Sequence, residues 1–307
     1  MINEVIQGDC LEKMKLIESG SVDLILTDPP YGNMNGAQLD GWKGNKTSWD
    51  TTINPKELFK ECERVLREKG TLILFSQEPY TSKLITEAHN NLPFNYRMIW
   101  LKDHFANALI AKVAPVSYFE DILVFSKKYD IRNKNPLRNY AKDVMTYIGK
   151  SLKKINLELG HRKAEHFFYL ESTQFKLCTK EIYIELEEKY NLKNMEGYKK
   201  FQILKEINKK YEQTFNLLNG ELKKSNVFSY KKDYGGLHPT QKPVALCKDL
   251  VKTYSNEGNL VLDFTCGSGS TLVGCKETKR NFIGIEKEEK YVEVSRKRLN
   301  PEQQKLK

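Results

Sequence analysis

Four consecutive residues, Asp28-Pro29-Pro30-Tyr31, bring together groups that can grip a flat amine. Proline has no N–H and a fixed φ, so its carbonyl stays free and rigidly aimed. The Asp28 carboxylate accepts hydrogen bonds from an amino group. The Tyr31 ring offers a π-face to a planar base. The ligand these parts suit is an exocyclic NH2 on a stacked heterocycle. A plain Pro-Pro turn after a strand is the competing reading of the four residues alone. The run before them, Val22-Asp23-Leu24-Ile25-Leu26-Thr27, is mostly apolar and predicts a short buried strand that ends at the motif.

A second constellation lies far downstream. Leu260-Val261-Leu262-Asp263-Phe264 reads as a strand that runs through Thr265-Cys266-Gly267-Ser268-Gly269-Ser270 into a helix over Thr271–Thr278. A further strand, Asn281-Phe282-Ile283-Gly284-Ile285-Glu286, ends in an acid 17 residues after Gly269. Strand, glycine turn, helix and acid-tipped strand form the nucleoside-binding half of a doubly wound sheet. The glycines admit the ligand to the backbone, and the terminal carboxylate takes ribose hydroxyls. Asp263 stands just before the turn, where a carboxylate would repel a pyrophosphate. A ligand carrying an ammonium and a sulfonium tolerates it, which favours S-adenosylmethionine over a nicotinamide dinucleotide.

Together these motifs resemble the amino-group DNA methyltransferases of the β order, in which the DPPY motif precedes the FxGxG motif. His238-Pro239-Thr240-Gln241-Lys242-Pro243 and Gln7-Gly8-Asp9-Cys10-Leu11 match two further segments of that family. The likeness covers roughly residues 1–130 and 235–300. It implies an α/β fold: a doubly wound, Rossmann-like, mostly parallel sheet of seven strands, one antiparallel near the edge. An inserted helical target-recognition module would occupy residues 130–235, between a catalytic half (1–129) and a cofactor half (236–307). It also implies transfer of a methyl group from S-adenosylmethionine, without a metal, to an amine of a base flipped out of duplex DNA. Asp28, Pro29, Pro30 and Tyr31 would be catalytic. Asp9 would accept from the cofactor's adenine amine, with Cys10 beside it, and Glu286 would hold the ribose, followed by Lys287. His238 and Lys242 would lie at the methionine end, and Asp263 near its ammonium. Phe264, Thr265, Gly267, Gly269, Ser270 and Thr271 would form the loop and helix start, with Asp28 at the methyl group. In that family an acid at the first motif position goes mainly with adenine-N6 and serine with cytosine-N4, so Asp28 favours adenine. Cytosine-N4, a related RNA substrate, and a non-catalytic DNA-binding scaffold are the alternatives. The implied partner is double-stranded DNA, contacted in the major groove by the insert. A companion restriction endonuclease and a homodimer are compatible with the likeness.

Composition agrees with this outline. The chain of 307 residues carries 39% hydrophobic residues and a net charge of +10. Residues 130–235 hold 22 Lys and Arg against 14 Asp and Glu, so +8 of that charge lies there. Such an excess suits a phosphate backbone, although a lysine-rich solvated helical insert would show it too. No apolar run reaches 18 residues, and Met1-Ile2-Asn3-Glu4 lacks the features of a signal peptide, so a cytoplasmic location is expected. The six cysteines include no C-x-x-C pair, so neither zinc nor disulfides are expected. Residues 32–52, with Trp42 and Trp49, read as a mobile loop beside the motif. Helices are expected over 55–69, 80–90, 144–159, 179–190, 198–218 and 244–254, with strands at 71–75, 96–101 and 121–125. The stretch from His161 to Phe168 is basic and aromatic. A helix of this module could enter the major groove.

Overall fold

The computed structural model describes residues 2–32, 50–106, 111–129, 135–209, 211–218, 220–233, 237–238 and 240–300. Nearly all of the 32–52 loop expectation falls outside them. The chain divides into two compact units, Met1–Lys127 with Gln213–Lys307, and Lys128–Glu212.

The first unit is built on one sheet. Its strands are β1 (Glu4–Gln7), β2 (Val22–Thr27), β3 (Leu66–Ser76), β4 (Phe94–Ala106), β5 (Ser117–Ser126), β6 (Val227–Ser229), β7 (Leu260–Asp263) and β8 (Asn281–Glu286). Their order is β1-β8-β7-β2-β3-β5-β4-β6. Among the described strands only β5 runs against its neighbours. The architecture is the mostly parallel α/β sheet expected, with eight strands among the described residues instead of seven. The eighth, β6, is three residues long and pairs with Ile99–Leu101 of β4. Two bonded neighbours hold it there: Ile99 N–H donates to the Asn226 carbonyl at 2.8 Å, and the Trp100 indole donates to the Tyr230 carbonyl at 2.8 Å. Residues 213–233 thus belong with the sheet, and the helical unit ends earlier than the 130–235 outline.

Helices cover both faces. On one side lie α1 (Cys10–Met14), α2 (Pro55–Val65) and α3 (Tyr80–Thr86); on the other lie α8 (Val244–Tyr254), α9 (Ser270–Glu277) and α10 (Glu289–Leu299). Alternate residues of a strand therefore enter different cores. Leu24 and Leu26 pack with Leu246, Leu250 and Leu272, while Ile25 packs with Met14, Leu58, Phe59 and Leu84. Burial on both faces is why β2 reads as a continuous apolar run and not an alternating one. The helix expected over 55–69 ends at Val65, because Leu66 already pairs with Val22 as strand.

The second unit contains α4 (Pro136–Ile148), α5 (Leu152–Leu159), α6 (Lys180–Tyr190) and α7 (Phe201–Lys209), with 3-10 turns at Glu165–Phe168 and Leu192–Asn194. The single helix expected over 144–159 is two. Gly149 closes α4 in the left-handed conformation, and the Ser151 hydroxyl caps α5. The stripe expected over 198–218 also divides. Tyr198, Phe201 and Ile207 pack against the core around buried Leu204, whereas Phe215 meets Tyr254 of the sheet unit at 5.7 Å between ring centres. The 161–168 stretch is divided: Ala164, Phe167 and Phe168 are buried while Arg162, Lys163 and His166 are exposed; His161 lies 2.9 Å from Glu185, and Arg162 pairs with Glu165 at 2.7 Å. Its two phenylalanines build a core. No described helix is long and apolar enough to cross a membrane.

Candidate active site

In a doubly wound sheet, ligands gather at the carboxyl ends of the parallel strands. Asp28 follows β2 there, Asp263 ends β7 and Glu286 ends β8. Adjacent pairing of β2 with β7 and of β7 with β8 brings the two constellations together although about 235 residues separate them. Direct bonds join them. The Thr265 hydroxyl donates to the Asp28 carbonyl at 3.0 Å. The Thr27 hydroxyl donates to Asp263 Oδ1 at 2.8 Å and lies 2.7 Å from the Thr265 hydroxyl.

The Asp28 carboxylate is held at both oxygens. The Tyr31 hydroxyl donates to Oδ1 at 2.5 Å, and the Lys242 ammonium pairs with Oδ2. The same ammonium lies 3.2 Å from Glu120, whose other oxygen is 2.5 Å from Lys102 Nζ. Burial raises the Asp28 carboxyl above its ordinary range, and Lys242 offsets part of that rise. For Glu120, burial is outweighed by Lys242 and Lys102, and its carboxyl is held below the usual range. Lys242 stays charged up to about 12, because Asp28 and Glu120 more than compensate its burial. Pro29 is buried and Tyr31 half-buried. The Tyr31 ring lies 6.4 Å from that of Tyr80. The turn after the motif is fixed by Asp50, which accepts from the Gly32 N–H at 3.0 Å.

On the nucleoside side, both Glu286 oxygens are aimed by backbone. Oε2 accepts from Gly267 N–H and Oε1 from Glu288 N–H, each at 2.8 Å. Its carboxyl is raised, chiefly by burial. Each oxygen keeps a lone pair for a diol. Gly267 is left-handed at φ 50°, and the His238 ring packs beside it. His238 contacts Tyr291 at 4.2 Å between ring centres, and burial, with Lys242 and Lys290, lowers it to about 3. Gly269 has φ 81°, and a Cβ there would meet the Ser295 hydroxyl at 2.8 Å. That glycine lets α10 close on the loop, a packing reason distinct from ligand approach. Asp9 caps α1 by accepting from Leu11 and Glu12 N–H through Oδ1. Asp263 is 3% exposed, and burial lifts its carboxyl to about 7.

Other expected residues stand nearby in plainer settings. Cys10 is buried and its thiol is pushed up to about 11. Phe264 fills the core beneath the loop. Thr271 is buried beside Cys247. The Ser270 hydroxyl is 3.4 Å from Arg298. Lys287 is exposed. All six cysteines are buried and free.

Glu120 and Lys102 escaped the reading of the sequence. The sequence pattern points to acids at the carboxyl ends of strands, and Glu120 lies near the amino end of β5. Because β5 is the antiparallel strand, that end lies at the catalytic edge, one position beyond the pair Ser76–Asp121.

The donor set suits an adenosyl ligand with a cationic centre. It offers in Glu286 an oriented carboxylate for a diol.

Residues 22–297 match the family model described as DNA methylase (N6_N4_Mtase). The chain is 26% identical to the Type II methyltransferase M.HinfI of Haemophilus influenzae, over 97% of this chain and 68% of that protein. It is 27% identical to M.HpaI of Haemophilus parainfluenzae (98% and 76%). It is also 26% identical to the DNA adenine methyltransferase YhdJ of Escherichia coli K12 (96% and 82%). Among solved structures, the M1.HpyAVI–SAM complex aligns with a TM-score of 0.53 at 19% identity over 97% of this chain and 99% of that one. The cytosine-N4-specific PvuII DNA methyltransferase aligns at 0.52, with 13% identity over 96% and 85%. With the motif geometry and nine-tenths of its length matched, the chain belongs to the N6/N4 DNA methylase family.

Proposed function

We propose that the protein transfers the methyl group of S-adenosylmethionine to the N6 amine of a flipped adenine in duplex DNA. The observation that carries this is the seam between the two motif loops, in which the Thr265 hydroxyl of the nucleoside side bonds the Asp28 carbonyl of the amine-gripping side. When bound, the cofactor supplies an electrophilic methyl group on a sulfonium. Glu286 would hold its ribose, Asp9 its adenine amine, and the Gly267–Gly269 loop would admit it.

The chain's own residues then act on the base. An exocyclic amine is a poor nucleophile because its lone pair is delocalised into the ring. The Asp28 carboxylate and the Pro29 carbonyl accept its two hydrogens, which makes the nitrogen more tetrahedral and aims its lone pair. Tyr31 stacks on the extruded base and recovers part of the lost stacking, ~1–3 kcal/mol. Asp28 takes the proton after transfer. An ordinary carboxylate suffices, since the alkylated ammonium is strongly acidic. Fixing both oxygens of Asp28 beforehand spares reorganisation during the reaction.

The unit Lys128–Glu212 is proposed as the target-recognition module, placing a helix in the major groove. It carries 19 Lys and Arg against 12 Asp and Glu, and Lys153, Lys154 and Lys163 are exposed. A companion endonuclease for the same site and a homodimer belong to the same proposal. The test is single-molecule sequencing of DNA from cells expressing the protein, beside an Asp28→Ala control. Methyladenine at one short motif, absent from the control, supports the reading. Methylcytosine there reassigns the base, and unmodified DNA in both samples sinks the DNA assignment.

A further inference from the structure

Half-buried Asp28 and buried Lys242, Glu120 and Lys102 form a chain of alternating charge. Lys242 and Asp28 alone would already be neutral. A second buried pair behind them, with side chains only 2% exposed for Lys102 and 11% for Glu120, therefore needs another reason. Buried ion pairs are weak sources of stability. The geometry gives one, because the Lys242 ammonium is divided between two carboxylates. Balanced by Asp28 alone, it would hold that carboxylate in a tight pair and compete with an incoming amine.

We propose that Glu120, backed by Lys102, is a positioning residue of methyl transfer, sharing Lys242 so that Asp28 stays oriented yet available to the target amine. The inference rests on the function proposed above. The groups facing Asp28 are Tyr31 in its own loop, Lys242 before α8, Cys247 within α8, Glu120 on β5 and Asp263 on β7. Lys102 on β4 acts through Glu120, and Asp121 acts on Tyr31.

The test is the pH profile of single-turnover methylation, on DNA from a methylation-deficient host, for the wild type, Glu120→Gln, Glu120→Asp and Lys242→Met. Glu120→Gln should lower the rate about tenfold, one pKa unit of interaction, with affinities for DNA and cofactor within about twofold. It should also move the acid limb to lower pH, because an anion beside Asp28 is gone. Glu120→Asp should restore part of the rate, and Lys242→Met should move the limb the other way. An unchanged limb and rate in Glu120→Gln, or a loss confined to affinity, overturns the proposal.

A second measurement needs no turnover. NMR of ε-13C-lysine in the ligand-free protein should show Lys242 charged to about pH 12 and titrating lower in Glu120→Gln. Identical titrations overturn the sharing of Lys242. If instead the wild type transfers no methyl group to DNA at any pH while Lys242 titrates as expected, the function proposed above fails and the sharing of Lys242 stands.

Discussion

At the scale of single residues, the site is a carboxylate whose two oxygens have different keepers. Tyr31 holds one and Lys242 the other. Asp28→Ala should cost about 10²–10⁴ in kcat, the range for a lost acid–base group, with cofactor affinity retained in calorimetry. Tyr31→Ala should lose about ten- to a hundredfold through the stacking term, whereas Tyr31→Phe keeps the ring and should lose less; steady-state kinetics on one duplex would rank them. The proposed reaction needs Asp28 ionised, and burial raises its carboxyl. The rate should therefore fall with decreasing pH from above the ordinary carboxylate range, and a pH–rate profile checks the sign. DPPY was legible as chemistry because four adjacent residues carry it. Glu120 and Lys102 were not legible, since their role depends on β5 running backwards, and no local pattern announces strand direction.

At the scale of elements, buried polar groups at strand ends weld the two halves of the site. Asp263 is the clearest, bonded to Thr27 and to the Thr265 N–H. With its carboxyl lifted to about 7 by burial, the folded protein keeps a proton that the unfolded chain has lost. The stability due to that proton is complete below pH ~4 and disappears as pH rises through about 7. Asp263→Asn lacks this decline, so the urea midpoint of the wild type should fall relative to the variant between pH 5 and pH 8. Gly269→Ala should cost ~1–3 kcal/mol from its left-handed backbone, and Ser295 must shift as well; urea unfolding would measure it. Strands and helices with one face or two in a core were readable from their apolar runs. The helix ends at Val65 and Gly149 were not, because a β2 pairing decides the first and a left-handed cap the second. Strand β6 was unreadable for a related reason, since three residues carry no periodicity and only the β4 edge makes them a strand.

At the scale of the whole molecule, positive charge is unevenly apportioned, and the helical unit holds +7 of the chain's +10. If that surface follows a phosphate backbone, Lys153→Gln with Lys154→Gln should weaken DNA binding. The slope of log affinity against log salt should then flatten by about one per lost contact. Fluorescence anisotropy across a salt series would read it. The charge imbalance was visible in the sequence, and the limits of the unit were not, because residues 213–233 return to the sheet. The strand order has a consequence in time as well. The strand bearing Asp28 finds one neighbour, β3, within 50 residues, but its other neighbour, β7, is made some 235 residues later. A growing chain thus carries β2 as an open edge, exposed to mispairing, until synthesis passes Asp263. The DPPY residues thus wait some 235 residues of synthesis for the strand that completes their surroundings.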